Sequence, residues 1–349
     1  MLRKSEMSPT RTADPDEEGE CPSFGLVVEL DDQVALGFDV AKISPWRVVK
    51  GDGRMPRMRR RSNLLLLAVV VALAAGDRTR GSVAAGDPRQ MLSMMASAVE
   101  GVRDYTMTLV TQEWNGNGLG PAALLMAKWA RPFKFYYKRL TAPHLGREIL
   151  FSEGWNDDKL KVSLRAWPVN IGVNINPHGA LAMADTGHPV EETSLVYLVG
   201  VVVDNFNRAD ARGEAMTEDL GDETILGRRC HRMRMFTMQS VTSHTLAKDE
   251  SLWDVEKEFE TEMAPLMHEN RNLGWDTPSD AKPGQTIRVP RYYAARIDLW
   301  IDEDLALPLR AEIYDASGAM FERFEHRDLK VNVGLGAKDF SPSNPDYKF

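Results

Sequence analysis

The residues that could do chemistry are spread along the chain without a catalytic arrangement. His178, His188 and His231 have no serine or cysteine elbow beside them, and the 7 histidines form no HExxH motif. Cys230 precedes His231 on a predicted strand, so the two side chains should point to opposite faces. Cys21 is the other cysteine, and the pair fits neither a disulfide framework nor a zinc site. We expect no catalytic residue, no metal and no cofactor.

Two stretches look like ligand loops but lack the defining residues. Residues 302–304 (Asp-Glu-Asp) have neither the spacing nor the glycine of an EF-hand, and we expect a turn there. Residues 116–121 (Gly-Asn-Gly-Leu-Gly-Pro) lack the Gly-Lys-Ser/Thr ending of a phosphate-binding loop, so a hairpin turn explains them. Paired acids for glycan cleavage remain open, because such acids need not be close in sequence.

The composition is that of a globular protein. The chain has 349 residues, 43% of them hydrophobic and 27% charged, and this length allows two or three domains. Its formal net charge is -8, and it has no long basic face. We therefore expect no nucleic-acid partner.

Residues 55–76 have the layout of a secretory signal peptide. Several arginines precede an apolar run over Leu64–Ala75, and Ala72 and Ala74 offer a small-residue cleavage site. The run is shorter than the roughly 20 residues that a membrane-spanning helix needs. We predict export to the periplasm or cell envelope, with cleavage near Ala74 or Ala75. An uncleaved anchor and a buried core helix are the alternatives.

Two further segments flank the signal peptide. Residues 1–54 precede it, and we predict that they are an upstream extension, with the true start at Met55 or Met58, or a disordered acidic tail. Residues 77–87 follow it and are predicted to be a linker.

Beyond the linker the pattern predicts helices and short strands. Arg89–Val102 has apolar residues at helical spacing, and Ser194–Val203 is apolar on every side. Short alternating segments joined by turns surround the second helix, and Gly221-Asp222 is predicted to be a hairpin turn. The predicted fold class is α+β: a curved antiparallel β-sheet, forming an unclosed half-barrel, that is plugged by helices.

The apolar residues of these two helices could line a ligand cavity. Methionine suits adaptable apolar contacts, and the first helix is rich in it. Ordinary core packing is the alternative, because apolar stripes usually form the core. The possible ligand-lining residues are Met91, Met94, Met95, Leu195, Leu198, Val199 and Val202.

Residues 243–290 have their own order of short strand, two helices and short strand. Ser251 can cap the first helix, with Asp254 three residues later as in a capping box. Pro265 falls in the first turn of the second helix, where its missing N–H does no harm. We predict that this segment is a separate domain inserted into the surrounding sheet.

This segment resembles the LysM domain over its whole length. The matching residues are Leu252-Trp253, Asn270, Asn272-Leu273 and Pro283-Gly284-Gln285. The resemblance implies a βααβ fold that binds N-acetylglucosamine glycans, such as peptidoglycan or chitin, in a groove between two loops. The glycan-binding residues that it implies are Asp249, Glu250, Ser251, Leu252, Asn272, Leu273, Gly274 and Trp275.

One pair of residues departs from the LysM pattern. Asp249-Glu250 stands where the family usually has Gly-Asp, and glycine allows backbone conformations that aspartate adopts less easily. A LysM fold that no longer binds glycan is therefore the alternative.

The surrounding sequence resembles the LolA/LolB-like lipoprotein-carrier superfamily. The matching motifs are Gly227-Arg228-Arg229 at a strand entry, Trp300-Ile301-Asp302 with Leu307-Pro308, and the closing Asp339-Phe340. The segments RPFKFYYKR, GREILFSEG and NPDYKF are similar to a bacterial envelope family of that fold. The resemblance implies an unclosed barrel with an apolar concave face that could hold an acyl chain. It covers residues 88–242 and 291–349.

These observations together predict an exported cell-envelope binding protein. Its LysM module would attach it to peptidoglycan, and its half-barrel would carry or sense a lipid or lipoprotein. The alternatives are a cell-wall glycan-acting enzyme targeted by LysM, and an envelope scaffold without a ligand.

Overall fold

A computed structural model of the chain describes residues 26–29, 87–115, 118–166, 169–184 and 186–349. The strands are β1 Leu26–Glu29, β2 Asp104–Glu113, β3 Ala123–Ala130, β4 Lys134–Arg139, β5 Glu148–Ser152, β6 Leu160–Ala166, β7 Val169–Ile175, β8 Ala215–Ile225, β9 Arg228–Thr237, β10 Val241–Thr245, β11 Thr286–Pro290, β12 Arg296–Asp302, β13 Pro308–Tyr314 and β14 Met320–Val331. The α-helices are α1 Pro88–Glu100, α2 Ala180–Met183, α3 Leu195–Asp210, α4 Leu252–Phe259 and α5 Met263–Glu269. Short 3-10 helices are Asn156–Asp158, Val190–Thr193, Arg271–Leu273, Pro278–Asp280 and Ala337–Phe340.

Twelve strands form one large sheet. Their order is β1-β7-β6-β5-β4-β3-β2-β14-β13-β12-β9-β8. β1 pairs with β7 in parallel, and the other neighbouring strands run antiparallel. In the described part of the chain β1 and β8 are the free ends, and they do not pair with each other. The prediction of a large, unclosed antiparallel sheet is therefore confirmed.

One face of this sheet is apolar because alternate residues of each strand point towards it. Ile297, Leu299 and Ile301 of β12 are buried on this face. Their cluster also contains the apolar residues of α1 and α3, and these two helices contact each other. We call this helix-covered side the inner face and the opposite side the outer face.

The second of the two apolar helices is longer than predicted. Ser194 caps it by accepting a hydrogen bond from Tyr197 N, and the helix continues beyond Val203 to Asp210. Its last turns still bury Asn205 and Phe206, so packing extends the helix past the run of purely apolar residues.

The predicted hairpin at Gly221-Asp222 is wrong. β8 is one strand over Ala215–Ile225, and its register against β9 shifts between Asp219 and Asp222. Gly221 has φ +74, and its N–H donates a hydrogen bond to Asp219 Oδ1 at 2.8 Å. The glycine therefore forms a bulge, and the strand continues on the far side.

The outer face is covered in two ways. Over β4 and β5 the last residues of the chain pack on the sheet, and the ring of Tyr347 stacks on Tyr136 with centroids 3.8 Å apart. Over β9 and β12 arginines cover the sheet instead: the buried carboxylate of Asp298 accepts hydrogen bonds from Arg232 and Arg234.

The segment between β9 and β12 forms a smaller unit. β10 and β11 pair antiparallel as a second sheet, and α4 and α5 lie between them in sequence. Ser251 and Asp254 form the predicted capping box at the start of α4. We call Val241–Pro290 the βααβ unit.

No helix in the described part of the chain is both long and apolar enough to cross a membrane. Apart from β1 and Asp87, the predicted upstream extension, signal peptide and linker lie outside the described residues.

Candidate functional site

Six of the seven predicted ligand-lining residues lie on α1 and α3 and pack together between these helices and the sheet. Each is at most 7% exposed, and all belong to the cluster between the helices and the inner face. The six residues are Met91, Met95, Leu195, Leu198, Val199 and Val202. Met94 is half-buried and lies outside this cluster. The strands contribute further methionines to it, namely Met107, Met233 and Met235.

A small cavity lies beside the start of α3. Its volume is about 10 Å³, which is room for about one water molecule. In this conformation it is therefore too small for an acyl chain. The residues that line it include Leu109, His188, Glu192, Tyr197, Leu198, Tyr293, Phe324 and His326.

A larger cavity of about 260 Å³ lies where β14 bulges. The pairing of β14 with β2 shifts between Arg327 and Lys330, and Asp328 there has φ +53. Leu309 and Leu329 form part of its wall and also belong to the inner-face cluster. We call this space the bulge cavity, and its lining residues are Leu226, Arg228, Leu309, His326, Asp328, Leu329 and Lys330.

His326 borders both cavities and is only 2% exposed. Its Nδ1 lies 2.7 Å from the carbonyl oxygen of Pro308. A carbonyl can only accept a hydrogen bond, so Nδ1 carries the proton. Burial lowers the pKa of His326 to about 4, although the bond to Pro308 and the charge of Glu325 oppose the shift. The ring is therefore neutral near pH 7, and Nε2 is a hydrogen-bond acceptor.

Three carboxylates meet where the βααβ unit contacts the segment before α3. Glu192 belongs to that segment, Glu256 lies on α4, and Glu262 precedes α5. One oxygen of each carboxylate lies within 4.8 Å of the others, and all three residues are half-buried. Tyr197 donates a hydrogen bond to Glu262. We call these three glutamates the carboxylate cluster.

This cluster retains protons near neutral pH. Burial, and then the charge of Glu192, raises the pKa of Glu256 well above its ordinary range. Burial also raises the pKa of Glu262 to about 7, although the hydrogen bond from Tyr197 opposes the rise. Carboxylates at this spacing can share protons or hold a hard cation such as Ca²⁺.

His188 sits beside the carboxylate cluster between two acids. Its Nε2 lies 2.8 Å from Glu322 Oε1, and its Nδ1 lies 3.4 Å from Glu192 Oε2. Tyr293 donates a hydrogen bond to the other oxygen of Glu322 at 2.6 Å. Burial alone would lower the pKa of His188. The charge of Glu322 and the hydrogen bonds to Glu192 and Glu322 outweigh burial and raise this pKa well above its ordinary value. His188 is therefore a buried cation.

The residues predicted to bind glycan have unequal access to solvent. Asp249, Ser251, Asn272 and Gly274 are exposed, and Glu250, Leu273 and Trp275 are half-buried. Leu252 has no exposed surface because it packs in the core of the βααβ unit, so its side chain cannot touch a sugar. The predicted glycan-binding residues form two groups, one at the start of α4 and one in the loop after α5. The 3-10 helix Pro278–Asp280, which follows the second group in sequence, contacts α4.

The βααβ unit packs against segments that connect strands of the large sheet. Met183 of α2 lies outside the unit in sequence, but its side chain is 2% exposed within the unit's core. The ring of Trp253 stacks on His178 with centroids 4.6 Å apart. At the other end of the unit, His268 Nε2 lies 3.0 Å from Asp315 Oδ2.

The sequence matches one family profile over residues 102–273 and 282–349, and that family is described as "Protein of unknown function (DUF1571)". The chain belongs to the DUF1571 family. The first matched range runs without a break into the βααβ unit and includes α4 and α5. Among curated proteins, none matches this DUF1571 member.

Several solved structures are similar to part of this chain. The complex of Pseudomonas aeruginosa MucA and MucB has 11% identity and a TM-score of 0.35, over 73% of this chain and 61% of that chain. The Mycobacterium tuberculosis lipoprotein LppX has 13% identity and a TM-score of 0.35, over 72% and 99%. A putative outer membrane lipoprotein-sorting protein domain from Vibrio parahaemolyticus has 13% identity and a TM-score of 0.30, over 72% and 95%.

The DUF1571 chain thus spans less than two thirds of the MucA/MucB structure that it matches. At these identities and TM-scores the three structures assign no ligand or partner to this chain.

His326, Glu322 and the carboxylate cluster were not predicted from the sequence. One signal for two of them lies within β14, where Glu322 and His326 alternate with Phe324 on the inner face, a face on which most buried residues of this sheet are apolar. The three glutamates carry no comparable signal, because they come from separate segments that meet only in the folded chain.

Proposed function

We propose that this chain binds the acyl chain of a lipid or lipoprotein between the sheet and helices α1 and α3, in the cell envelope and without catalysing a reaction. The observation that carries the proposal is the bulge cavity. Its apolar wall, through Leu309 and Leu329, is continuous with the methionine-rich cluster under the helices. Methionine side chains adapt their shape readily, so this cluster can rearrange around a chain.

Binding requires movement because the inner-face cluster is packed. A close-packed interior has no spare volume, so the acyl chain must displace side chains or a helix. α1 is the element suited to move. Its polar attachment to α3 is an exposed ion pair, in which Arg89 Nη1 lies 2.5 Å from Asp210 Oδ2.

Uptake of a fluorescent fatty acid by the full chain tests this proposal. The variant Leu329→Trp fills the bulge cavity with a larger side chain and should reduce uptake at least fivefold. Leu181 is 52% exposed outside that cavity, so Leu181→Trp is the matched control and should leave uptake unchanged. Native mass spectrometry of envelope-purified protein should also show bound lipid. No uptake by the parent chain and no co-purified lipid would end the proposal.

Glycan binding by the βααβ unit is a second candidate. Its support is the βααβ order with antiparallel outer strands, together with exposed Asp249, Asn272 and Gly274 beside the half-buried Trp275. Trp275 Nε1 is buried and has no hydrogen-bond partner in the described part of the chain. A neutral sugar would be held by hydrogen bonds and apolar contact, so we expect weak binding that salt changes little.

Sedimentation of the full chain with insoluble peptidoglycan and with chitin tests this candidate. Asn272→Ala should reduce the sedimented fraction, and Asp249→Gly should not reduce it, because glycine relaxes the loop. Ser243→Ala is a control at an exposed position on β10 of the same unit, away from both groups of predicted glycan-binding residues. If the parent chain stays in the supernatant with both polymers while a known LysM protein sediments, the candidate fails.

A further inference from the structure

The bulge cavity contains one buried polar group that the acyl-chain proposal leaves unused. His326 is 2% exposed, and the bond from Nδ1 to Pro308 O fixes its ring. No hydrogen bond to Nε2 is found among the described residues, and the ring borders the cavity. A ligand that fills the cavity covers Nε2, and a covered acceptor without a partner costs free energy, so a bound ligand is expected to bring a donor to this place.

The charged residues of the cavity do not replace this donor. Arg228 is held by Asp302, with Nε 2.5 Å from Oδ2, and is thereby neutralised. Lys330 and Asp328 are exposed at the rim and have opposite charges. The lining therefore has little net charge and does not select for an anion.

The other side of the cavity is apolar. Leu226, Leu309 and Leu329 line it, and the last two belong to the inner-face cluster. The volume of about 260 Å³ lies just below the range of about 300–1,000 Å³ that is usual for small-molecule sites. It can hold one end of a chain-like ligand while the remainder extends towards the helices.

We propose that the bulge cavity binds a single-chain lipid that carries a hydrogen-bond donor, a hydroxyl or an amide N–H, next to its acyl chain, and that His326 Nε2 accepts this hydrogen bond. This hydrogen bond fixes how deeply the ligand enters the cavity, and the acyl chain of the ligand runs past Leu309 and Leu329. This inference rests on the proposed acyl-chain function and adds the chemical class of the ligand. A chain that ends in an ester without a donor would leave Nε2 unpaired.

Competition against a bound fluorescent fatty acid measures this preference. Methyl dodecanoate and N-methyldodecanamide differ by one atom group, because the amide has an N–H where the ester has an oxygen. We expect the amide to compete about tenfold more strongly with the parent chain, since the ester leaves a buried acceptor unpaired. Monododecanoylglycerol, which offers hydroxyl donors, should likewise outcompete the ester.

The variant His326→Phe removes the acceptor and keeps a ring of similar size. Its preference for the amide and for the monoacylglycerol over the ester should fall to about one. His326→Gln restores an acceptor and should recover part of the preference. His144→Phe is the matched control, because His144 lies in the β4–β5 connection and lines neither cavity. Equal competition by all three compounds with the parent chain would overturn the inference while the acyl-chain proposal stands.

Nitrogen-15 NMR of the parent chain gives a second readout if His326→Phe fails to fold. The Nε2 resonance of His326 should have the shift of an unprotonated nitrogen and should move on addition of the amide but not of the ester. A proton on Nε2 in place of Nδ1 would overturn the inference. If the parent chain takes up no fatty acid at all, the proposed function and this inference both fail.

Discussion

Two buried histidines border the two cavities described above, and their surroundings give them opposite properties. His188 is 4% exposed and His326 is 2% exposed, so burial does not distinguish them. His188 lies between the carboxylates of Glu322 and Glu192 and is a cation. His326 has a backbone carbonyl as its partner and is neutral.

The difference shows that the partner, and not the depth of burial, decides the charge of a histidine. Burial disfavours the imidazolium at both sites. Two hydrogen-bonded acids overcome that effect at His188. At His326 the hydrogen-bonded partner is a neutral carbonyl, and this bond together with the charge of Glu325, which is not bonded to the ring, does not overcome it. The first region is therefore suited to hold parts of the fold together by charge, and the second is suited to recognise a neutral ligand.

The largest effect should come from removing the cation of the first region. His188→Leu leaves Glu322 and Glu192 without their positive partner in a buried place. We expect the free energy of unfolding at pH 7 to fall by about 3–5 kcal/mol, as for a broken buried ion pair. Chemical denaturation measures this loss. His144→Leu, at a half-buried position outside both regions, should change the value by less than about 0.5 kcal/mol. A loss below about 1 kcal/mol for His188→Leu would contradict a buried imidazolium.

The pH dependence of the two histidines should have opposite signs. The pKa of His326 falls from 6.5 to about 4 on folding, so its contribution to stability is present above pH 6.5 and is lost as the pH falls through about 4. The parent chain should lose about 3 kcal/mol relative to His326→Phe between pH 7 and pH 4. The pKa of His188 is raised, so its contribution is present below pH 6.5 and is lost as the pH rises through the folded-state pKa.

Denaturation curves at several pH values give both profiles from the same variants. Parallel profiles for the parent chain and His326→Phe would show that His326 titrates normally in the folded state. The two histidines would then not differ in charge for the reason given above, because the fold would not hold His326 neutral.

A smaller effect should follow from removing one acid of the carboxylate cluster. The pKa values of Glu256 and Glu262 are raised in the folded state, so the cluster stabilises the fold most below about pH 4.5 and loses this contribution as the pH rises through about 7 and beyond. The free energy of unfolding of Glu256→Gln should therefore exceed that of the parent chain by about 1–2 kcal/mol at pH 9. The two values should be similar at pH 5. Glu258→Gln changes an exposed residue of the same helix and should have no such pH dependence.

Added Ca²⁺ separates two explanations of the cluster. If Ca²⁺ stabilises the parent chain at pH 9 and fails to stabilise Glu256→Gln, the cluster holds a cation and not shared protons.

The smallest effect is expected at the rim of the bulge cavity. Lys330 is exposed there, so Lys330→Met should change the free energy of unfolding by less than about 0.5 kcal/mol. Competition by the ester and by the amide should keep the ratio of the parent chain. A change in that ratio would mean that the rim, and not the floor of the cavity, recognises the ligand.

Sequence patterns predicted the framework of the fold because they are local. The helical spacing of Met91, Met95 and Val99 and the apolar run after Ser194 predicted α1 and α3. Ser251 and Asp254 predicted the start of α4. The Gly221-Asp222 pair failed because a turn and a bulge favour the same residue types, and only the partner strand decides between them.

The site residues could not be predicted in the same way. The cluster of Glu192, Glu256 and Glu262 forms only when α4 and α5 meet the segment before α3. The tautomer of His326 depends on the carbonyl of Pro308 on the neighbouring strand. Contacts of this kind depend on how strands and helices are arranged in space, and periodicity along one segment contains no information about that arrangement.

The burial of Met183 within the βααβ unit has a consequence for the order of synthesis and for engineering. α2 is made well before β10, so this part of the chain must wait for the unit that it completes. Transfer of residues 241–290 alone into another protein would leave a hole where Met183 packs. A transplant that is meant to keep its native stability should therefore include α2, and exchange of this unit between proteins requires two pieces of chain.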